Sequence, residues 1–501
     1  MTQPIRYCLQ ILSPVHVGCD EVYEPTAFFL DEASQTLCPF DPLRFIGGLS
    51  EADQKKFSEI CQRGTIPSIL ELYKFVRARG NPDLALHKVS VCSGLLENFR
   101  KTLSLPANNV KAIQQDLNNF AIQRTAFLPA SQRPYIPGSA IKGALRTAYL
   151  NGRAQKKGRI RTSQGKGAAR DLEKSLLDGG SFDTDPFRLI KVSDFHPVGE
   201  VRTRIIYAVN RKKQPSKLKG FEGQGPFQIM EVIQPGSVFE GWITVDEGPP
   251  RSRVAVPLNM KTVLESATIF FRKECQRENL DLERIGAAQI KMNIAEHGIP
   301  LRLGRHSGAE CVTIEGYRDI RIKLGNGKFK QSNAATTLWL TGDSSKPRDN
   351  GGLKPFGWVS LKEVSGDVWK KLDALEVEYR DRLTGIKDKA EVSKDAHAHG
   401  TVSATEKPLP VSSREAVEKV HPPTPRVIEK RQPSSKDLLS QASSFRSNDK
   451  ITLERLIKAL DALEDQSLAH KVAEVIKNKL IQAGTWKKHP LRAEIEFYLE
   501  E

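Results

Sequence analysis

A tight turn that runs directly into a helix constrains this chain more than any other stretch: Tyr135-Ile-Pro-Gly-Ser-Ala-Ile-Lys-Gly-Ala-Leu-Arg-Thr147. Pro137-Gly138 is a turn signal, and Ser139 is a residue type that caps helix N-termini. The first turn of a helix carries free backbone N–H groups and a positive dipole end, which suit a phosphate. The residue spacing of a Walker phosphate-binding loop is absent. An ordinary capped helix is also consistent with this sequence.

The helix that follows has two distinct faces. Its period places Ile141 and Leu145 on an apolar face and Lys142 and Arg146 on a basic one. Gly143, like Gly138, has no Cβ, so another backbone can come close to the helix there. The stretch therefore predicts either an amphipathic helix with no further role or a site that holds a phosphate backbone.

The charge balance favours a polyanionic partner. The 501 residues include 76 Lys and Arg against 60 Asp and Glu, which gives a formal charge of +16 and a pI near 9.4. Nucleic acid is the first candidate and an anionic membrane surface is the competitor. No apolar run of spanning length and no signal peptide are visible. We therefore expect a soluble, cytoplasmic protein.

The cysteine and histidine patterns predict no metal and no cofactor. Seven cysteines are scattered without any C-x-x-C pair, which argues against a disulfide framework and against a cysteine zinc site. His397 and His399 stand in a polar stretch, where chance proximity explains them.

Periodicity indicates an α+β chain with a largely antiparallel sheet. It predicts strands at 4–12, 27–30, 187–196 and 201–208, helical content through 51–125, helices at 139–151 and 258–280, and a hairpin of 228–233 with 238–245.

The composition changes near residue 384. Residues 385–450 are rich in Pro, Ser, Lys and Glu, which predicts a disordered linker. Residues 451–501 regain a helical period and predict a small helical module. The predicted domains are 1–180 with a helical insertion at 51–125, 181–384, the linker and the module.

Two basic stretches and two further glycine-rich turns add candidate RNA contacts. We interpret 151–174, up to a predicted helix at about 168–177, and 211–225 as basic loops that face RNA rather than as merely solvated loops. The turns at 301–308 and 351–358 offer close backbone approach with cations attached. The candidate residues of these four stretches are Arg159, Arg161, Lys212, Lys213, Arg305, His306 and Lys354.

Three other candidate sites each allow a functional and a structural interpretation. His16 suits a general base or a ribose or phosphate contact, but a hydrogen-bonded loop histidine is the commoner case. Asp194 and His196 suit an acid–base pair, with a structural role favoured. Phe356 and Trp358 suit base stacking, although burial is commoner.

An ordered series of motifs resembles one family. Residues 135–147 closely resemble the signature helix of the RAMP superfamily of CRISPR proteins, and Leu12-Ser-Pro-Val-His-Val-Gly18 is similar to the start of one branch. That branch contains the fifth subunits of Csm complexes, the type III-A effectors. The further matches are Val192-Ser-Asp194, Gln234-Pro-Gly-Ser-Val-Phe239, Leu303-Gly-Arg-His-Ser-Gly308 and Lys354-Pro-Phe-Gly-Trp358.

The resemblance implies a fold and a role. It implies two ferredoxin-like (RRM-like) domains with helical insertions and a non-catalytic subunit that caps the 3′ side of the crRNA and supports its maturation. The implied partners are crRNA, target RNA, the backbone RAMP and small subunits, and a trimming nuclease.

The resemblance also implies RNA-contacting residues. The early loop maps onto His16 and Gly18, and the glycine loop and basic helix map onto Gly138, Ser139, Lys142, Gly143 and Arg146. The alternative is a metal-independent endoribonuclease that processes precursor crRNA, with His16 or His196 as acid or base. Residues 385–501 extend beyond the usual length of the family, so no role is carried over to them.

Overall fold

A computed structural model gives the structure of residues 4–118, 120–158, 160, 165, 167–181, 183–216, 220–222, 227–246, 253–254, 258–294, 298–325, 328–398, 442, 453, 456–457, 460, 466–482, 484–486 and 491–499. The chain divides into two compact units, Met1–Thr401 and Val402–Glu501. In the parts of the chain covered by these ranges, no helix has the length and apolarity needed to span a membrane.

The secondary structure mixes strands and helices throughout the first unit, which confirms the predicted α+β class. The strands are β1 (Ile5–Ile11), β2 (Gly18–Tyr23), β3 (Phe28–Asp31), β4 (Thr36–Pro39), β5 (Val89–Val91), β6 (Ile122–Thr125), β7 (Ile190–Val192), β8 (His196–Val198), β9 (Thr203–Ser216), β10 (Gly220–Glu222), β11 (Gln228–Ile233), β12 (Val238–Val245), β13 (Ile299–Arg302), β14 (Ile320–Gly325), β15 (Lys328–Ser332), β16 (Thr337–Gly342), β17 (Lys354–Pro355) and β18 (Trp358–Glu363). The helices are α1 (Pro42–Gly47), α2 (Glu51–Arg63), α3 (Ile66–Arg79), α4 (Ser93–Leu103), α5 (Val110–Asn118), α6 (Gly138–Lys157), α7 (Ala168–Leu177), α8 (Met260–Arg284), α9 (Gly366–Ala398), α10 (Gln466–Gln482) and α11 (Arg492–Phe497).

The first sheet has the order β13-β18-β1-β12-β7, with β8 also paired to β12, and its pairs are antiparallel. Alternation along β1 directs Tyr7, Leu9 and Ile11 into a core that also contains Leu145 of α6 and Phe271 of α8. The predicted strand at 4–12 is confirmed, and α6 and α8 cover one face of this sheet.

The second sheet has the order β2-β6-β11-β9-β5-β4-β3, and β16 also pairs with the long strand β9. Most of its pairs are antiparallel, as predicted, but β11–β6 and β9–β5 are parallel. One face packs against α3, α4 and α5, with Tyr207, Leu95 and Phe99 in the shared core. The other face carries a smaller apolar cluster around Met230 and Phe356.

The predicted hairpin is wrong in its pairing, although both of its strands have the predicted bounds. β11 pairs with β9 in the second sheet, whereas β12 pairs with β1 in the first. The turn between them passes from one sheet to the other, and Gly236 N–H donates to Ile11 O there. Each sheet contains strands from both sides of residue 180: β12 and β18 flank β1 in the first sheet, and β9 and β11 join β5 and β6 in the second. Residue 180 is therefore not a boundary between the sheets.

Three other predicted segments differ from the structure. The predicted loop at 211–225 begins inside β9, which continues to Ser216 because its end pairs with β16 and β10. The first residues of the predicted loop at 151–174 belong to α6, which continues through Gly152 to Lys157 and ends where Gly158 adopts a φ of +69°. The predicted strand at 187–196 starts with a 3₁₀ turn, Pro186–Leu189, and the strand β7 is short.

Helix α9 extends into the predicted linker. The helix runs from Gly366 to Ala398, so residues 385–398 are helical rather than irregular, consistent with their Lys, Asp, Glu and Ala content and lack of proline. The remaining part of the predicted linker lies outside the described residues, apart from Ala442.

The second unit contains helices, as predicted for the C-terminal module. Val472, Ile476 and Leu480 of α10 recur at helical spacing and pack with Trp486 and Ile495 in one apolar core.

Candidate nucleic-acid interface

Three glycine-containing loops lie side by side where the two sheets meet: residues 12–18, 303–308 and 355–358. Backbone hydrogen bonds join them directly. Gly357 N–H donates to Pro14 O (2.9 Å), Leu303 N–H donates to Gly357 O (2.8 Å), and Arg305 N–H donates to His16 O (2.8 Å). The structure therefore brings together three of the sequence motifs that were predicted separately.

The glycines of these loops serve the contact between the loops. Gly304 and Gly357 have φ values of +78° and +86°, a region that residues with a Cβ rarely adopt. A Cβ at Gly304 would collide with His16 O, and one at Gly357 would lie 2.5 Å from Leu303 O. The close backbone approach that was expected for phosphates is, at these two positions, an approach to neighbouring loops.

A buried ion pair anchors the loops to α8. Arg302 Nη2 donates to Glu278 Oε1 at 2.5 Å, and both side chains are only 2% exposed. Trp358 Nε1–H donates to the other carboxylate oxygen of Glu278 (2.7 Å), and Arg302 Nε–H donates to Phe356 O (2.9 Å). Phe356 and Trp358 are fully buried, so the interpretation of these aromatics as core residues is confirmed.

Lys213 does not lie on an RNA-facing surface. Its ammonium is buried between Glu310 (2.7 Å) and Asp281 (3.0 Å). Although burial raises it, the neighbouring Lys213 and Arg277 cations lower the pKa of Glu310 to about 2. The assignment of Lys213 to RNA contact is corrected, because alternation along β9 turns its side chain into the protein.

His16 is buried under the loops. Its side chain is 1% exposed, and its Nδ1–H donates to Glu231 O at 2.7 Å, which leaves Nε2 as an unprotonated acceptor. Burial lowers the pKa of His16, and the Arg305 cation lowers it further. Among the described residues no group bonds to Nε2. Gly18 is exposed at the start of β2, and a Cβ there would meet only this nitrogen, at 3.6 Å.

The start of α6 is occupied by a carboxylate of the protein itself. The helix begins at Gly138, not after a Ser139 cap; Pro137 occupies the cap position and the side chain of Ser139 is exposed. Gly138 N–H donates to Asp194 Oδ1 at 2.8 Å. A Cβ at Gly138 would collide with two backbone carbonyls, those of Val192 and Ser193.

The basic face of α6 is directed at partners within the protein. Lys142 Nζ donates to Ile190 O (2.7 Å), and burial lowers its pKa. Arg146 forms ion pairs with Glu173 and Asp185, both at 2.8 Å. Gly143, in contrast, is exposed, and nothing within 4 Å would meet a Cβ there.

The second sheet presents a surface that we call the basic face, formed by Lys212, Arg305, His306, Trp339 and Lys354. Cross-strand pairs place these side chains on one side of the sheet: Lys212 opposes Thr337, and Lys354 opposes Thr341. Arg305 is exposed and its Nη1 donates to Gln123 Oε1 (2.7 Å). His306 stacks on Trp339. Of the candidates, the structure brings Lys212, Arg305, His306 and Lys354 together.

Several other candidates stand apart from this face. Gly138, Ser139, Lys142, Gly143 and Arg146 lie on α6, which packs against α8 and β7. Arg159 and Arg161 lie outside the described residues. His196 is exposed in β8, and the carboxylate of Asp194 is engaged by Gly138. Trp339 was missed by sequence reasoning, and its only signal was an aromatic residue inside an apolar run.

His306 should make folding depend on pH. Burial and the Arg305 cation lower its pKa to about 3, below the 6.5 of an unfolded histidine. The unfolded chain therefore takes up a proton that the folded chain refuses, so stability is full above pH 6.5 and falls as pH drops toward 3. Asparagine tolerates the positive φ of this position. Between pH 7 and pH 5, we expect the free energy of unfolding of His306→Asn to fall by about 1–2 kcal/mol less than that of the unsubstituted chain. Urea denaturation at both pH values measures this, and equal losses would contradict it.

A metal site built from protein side chains would need a cluster of His, Cys, Asp or Glu residues. The described residues contain no group of three His, Cys, Asp or Glu side chains arranged to hold a metal ion.

Comparisons with known proteins place the chain in a family. The RAMP superfamily model matches residues 8–282, more than half of the chain. No curated protein sequence matches it. Among solved structures, the chain is similar to a chain of a type III-A CRISPR-Cas Csm–crRNA–target RNA ternary complex (17% identity, 72% of this chain and 100% of that chain, TM-score 0.46). It is also similar to T. onnurineus Csm5 (18% identity, 70% and 99% coverage, TM-score 0.44). On the family match, the chain belongs to the RAMP superfamily.

Proposed function

We propose that this chain is an RNA-binding, non-enzymatic subunit of a type III-A CRISPR (Csm) effector that caps the 3′ side of the crRNA and supports its maturation. The observation that carries the proposal is the basic face, whose cations have no carboxylate partner among the described residues and lie beside an aromatic pair, on a protein of the RAMP superfamily. The two sheets with their helices would be two ferredoxin-like units.

The charges of the basic face suit a phosphate backbone. Among the residues that the structure describes, no carboxylate lies within 4 Å of the cationic groups of Lys212, Arg305 or Lys354, and the last two are exposed. A polyanion that binds such cations releases its own counterions, and that release favours binding. The face would therefore bind RNA in a salt-dependent way and with little base preference.

The burial of His16 argues against RNA cleavage by this side chain, and it also corrects the assignment of His16 to direct RNA contact. A general base must come within about 3 Å of the proton it removes. Both ring nitrogens of His16 are enclosed, one by Glu231 O and the other beneath Gly18. His16 instead supports the neighbouring loop through its backbone, because its carbonyl oxygen accepts the hydrogen bond from Arg305 N–H.

Removing two exposed cations from the basic face should weaken RNA binding. For the full chain with Arg305→Ala and Lys354→Ala together, we expect the slope of log affinity against log salt to shrink by about 1.4 for single-stranded RNA, since each lost phosphate contact removes about 0.7. Filter binding with a labelled RNA of crRNA sequence measures both slope and affinity.

A matched control removes the same charge elsewhere. Lys370 and Lys371 are exposed on α9, and replacing both by Ala should leave the slope unchanged if the basic face holds the RNA. Equal slopes in the unsubstituted chain and the Arg305/Lys354 variant would reject this face, and failure of the unsubstituted chain to bind RNA would reject the proposed function.

Two further assays separate capping from cleavage. Removing this chain from cells should leave the crRNA longer at its 3′ end or absent, and unchanged crRNA ends would count against the capping role. Incubating the purified chain with labelled precursor RNA in EDTA should give no product. A product that disappears in a His16→Ala variant would assign the endoribonuclease instead.

A further inference from the structure

The basic face contains a stacked pair of aromatic rings. The rings of His306 and Trp339 are 4.4 Å apart between centroids and inclined by only 25°. Trp339 is half-buried, and Phe356 lies beneath the pair at 5.2 Å from the His306 ring. The pair is therefore supported from within the protein while part of its surface stays open to solvent.

The orientation of His306 is fixed by its backbone and by one hydrogen bond. Its φ is +64°, an uncommon value for a residue with a Cβ, and such strain concentrates at functional positions. Its Nε2–H donates to Gln228 Oε1 at 3.1 Å. Burial and Arg305 lower the pKa of the ring to about 3, so it is neutral near pH 7. A neutral ring cannot neutralise a phosphate, but it can stack.

The surroundings of the pair supply the charge that the ring lacks. Lys212 and Lys354 flank Trp339 across the strand pairs of β9, β16 and β17, and Arg305 directly precedes His306. On the same face of the sheet, Arg204 pairs with Asp343 and is thereby engaged. An aromatic surface between cations is the arrangement with which proteins bind unpaired nucleotides, since bases stack while phosphates meet cations.

We propose that the His306–Trp339 pair is a stacking platform for one unpaired base of the bound RNA, with Arg305, Lys212 and Lys354 holding the phosphates on either side. The inference rests on the proposed function and goes beyond it by assigning Trp339. A single strand is required because a base within an A-form duplex is already stacked and its faces are covered.

Substitution of Trp339 tests the platform in the full chain. We expect Trp339→Leu to weaken binding of single-stranded RNA by about 5- to 140-fold, the range that corresponds to loss of one stacked base. Its salt slope should stay that of the unsubstituted chain, because no charge is lost. Trp339→Phe should recover most of the affinity. Binding of duplex RNA should be unaffected by either change.

The control is a more exposed tryptophan in the first sheet. Trp242 is 39% exposed and stacks edge-to-face with Trp369, away from the basic face. Trp242→Leu should leave RNA affinity unchanged. Thermal denaturation shows whether each variant is folded, and photocrosslinking of 4-thiouridine RNA to the unsubstituted chain gives a readout that needs no variant.

The outcomes are distinguishable. Crosslinks within 303–308 or 337–342, together with the loss in Trp339→Leu, support the platform. If the unsubstituted chain binds RNA but Trp339→Leu binds equally well and crosslinks lie elsewhere, the platform is rejected while the proposed function stands; a protein would then be the occupant of this face. If the unsubstituted chain binds no RNA, both proposals fail.

Discussion

Replacing Arg302 by Leu is expected to lower the unfolding free energy of the first unit by about 3–5 kcal/mol. The substitution leaves Glu278 buried without its cation, held only by the indole N–H of Trp358, and frees the carbonyl of Phe356. Burying a carboxylate without its cation costs more free energy of folding than the complete ion pair contributes to stability. Urea denaturation followed by tryptophan fluorescence measures the loss, since Trp358 lies at the site.

An exposed arginine provides the control for this prediction. Arg202 also donates to a carboxylate, that of Glu200, but its side chain is 76% exposed. Ion pairs in solvent contribute at most about 1 kcal/mol, so Arg202→Leu should change stability by no more than that. Similar losses in the two variants would show that burial does not set the strength of the Arg302–Glu278 pair.

The sequence predicted where individual strands lie, but it did not predict which strands pair with one another. The bounds of β11 and β12 were predicted to the residue, because β-type runs and the Pro235-Gly236 turn are local signals. Their assignment to different sheets was not predicted, because β12 pairs with β1, which is remote from it in sequence. The α9 helix was missed where its composition resembles that of a linker.

In the candidate site, too, the residue types could be seen in the sequence, but the direction of their side chains could not. Lys212 and Lys213 are neighbours in sequence, yet one lies on the basic face and the other is buried between two carboxylates. A count of cations cannot separate them, whereas strand alternation does once the strand is known. The glycines were expected to admit a ligand, but Gly304 and Gly357 are required by the neighbouring loops.

The two glycines of the signature helix should respond to alanine in opposite directions. Gly138→Ala would place a methyl group against the carbonyls of Val192 and Ser193, so we expect a loss of about 2–3 kcal/mol or more. Gly143→Ala meets nothing within 4 Å and should gain about 0.5–1 kcal/mol, because alanine is the better helix former. Thermal denaturation of the two full-length variants compares them directly.

The same pair separates packing from RNA contact within one motif. If α6 touches RNA through its exposed surface, Gly143→Ala should bind RNA less tightly despite its greater stability, because the added methyl group occupies the point of closest approach. If α6 acts only as a support, Gly143→Ala should bind RNA as the unsubstituted chain does. Equal destabilisation by the two alanines would contradict the different environments of Gly138 and Gly143, and with them the view that the first glycine of this motif is required by the β7–β8 turn.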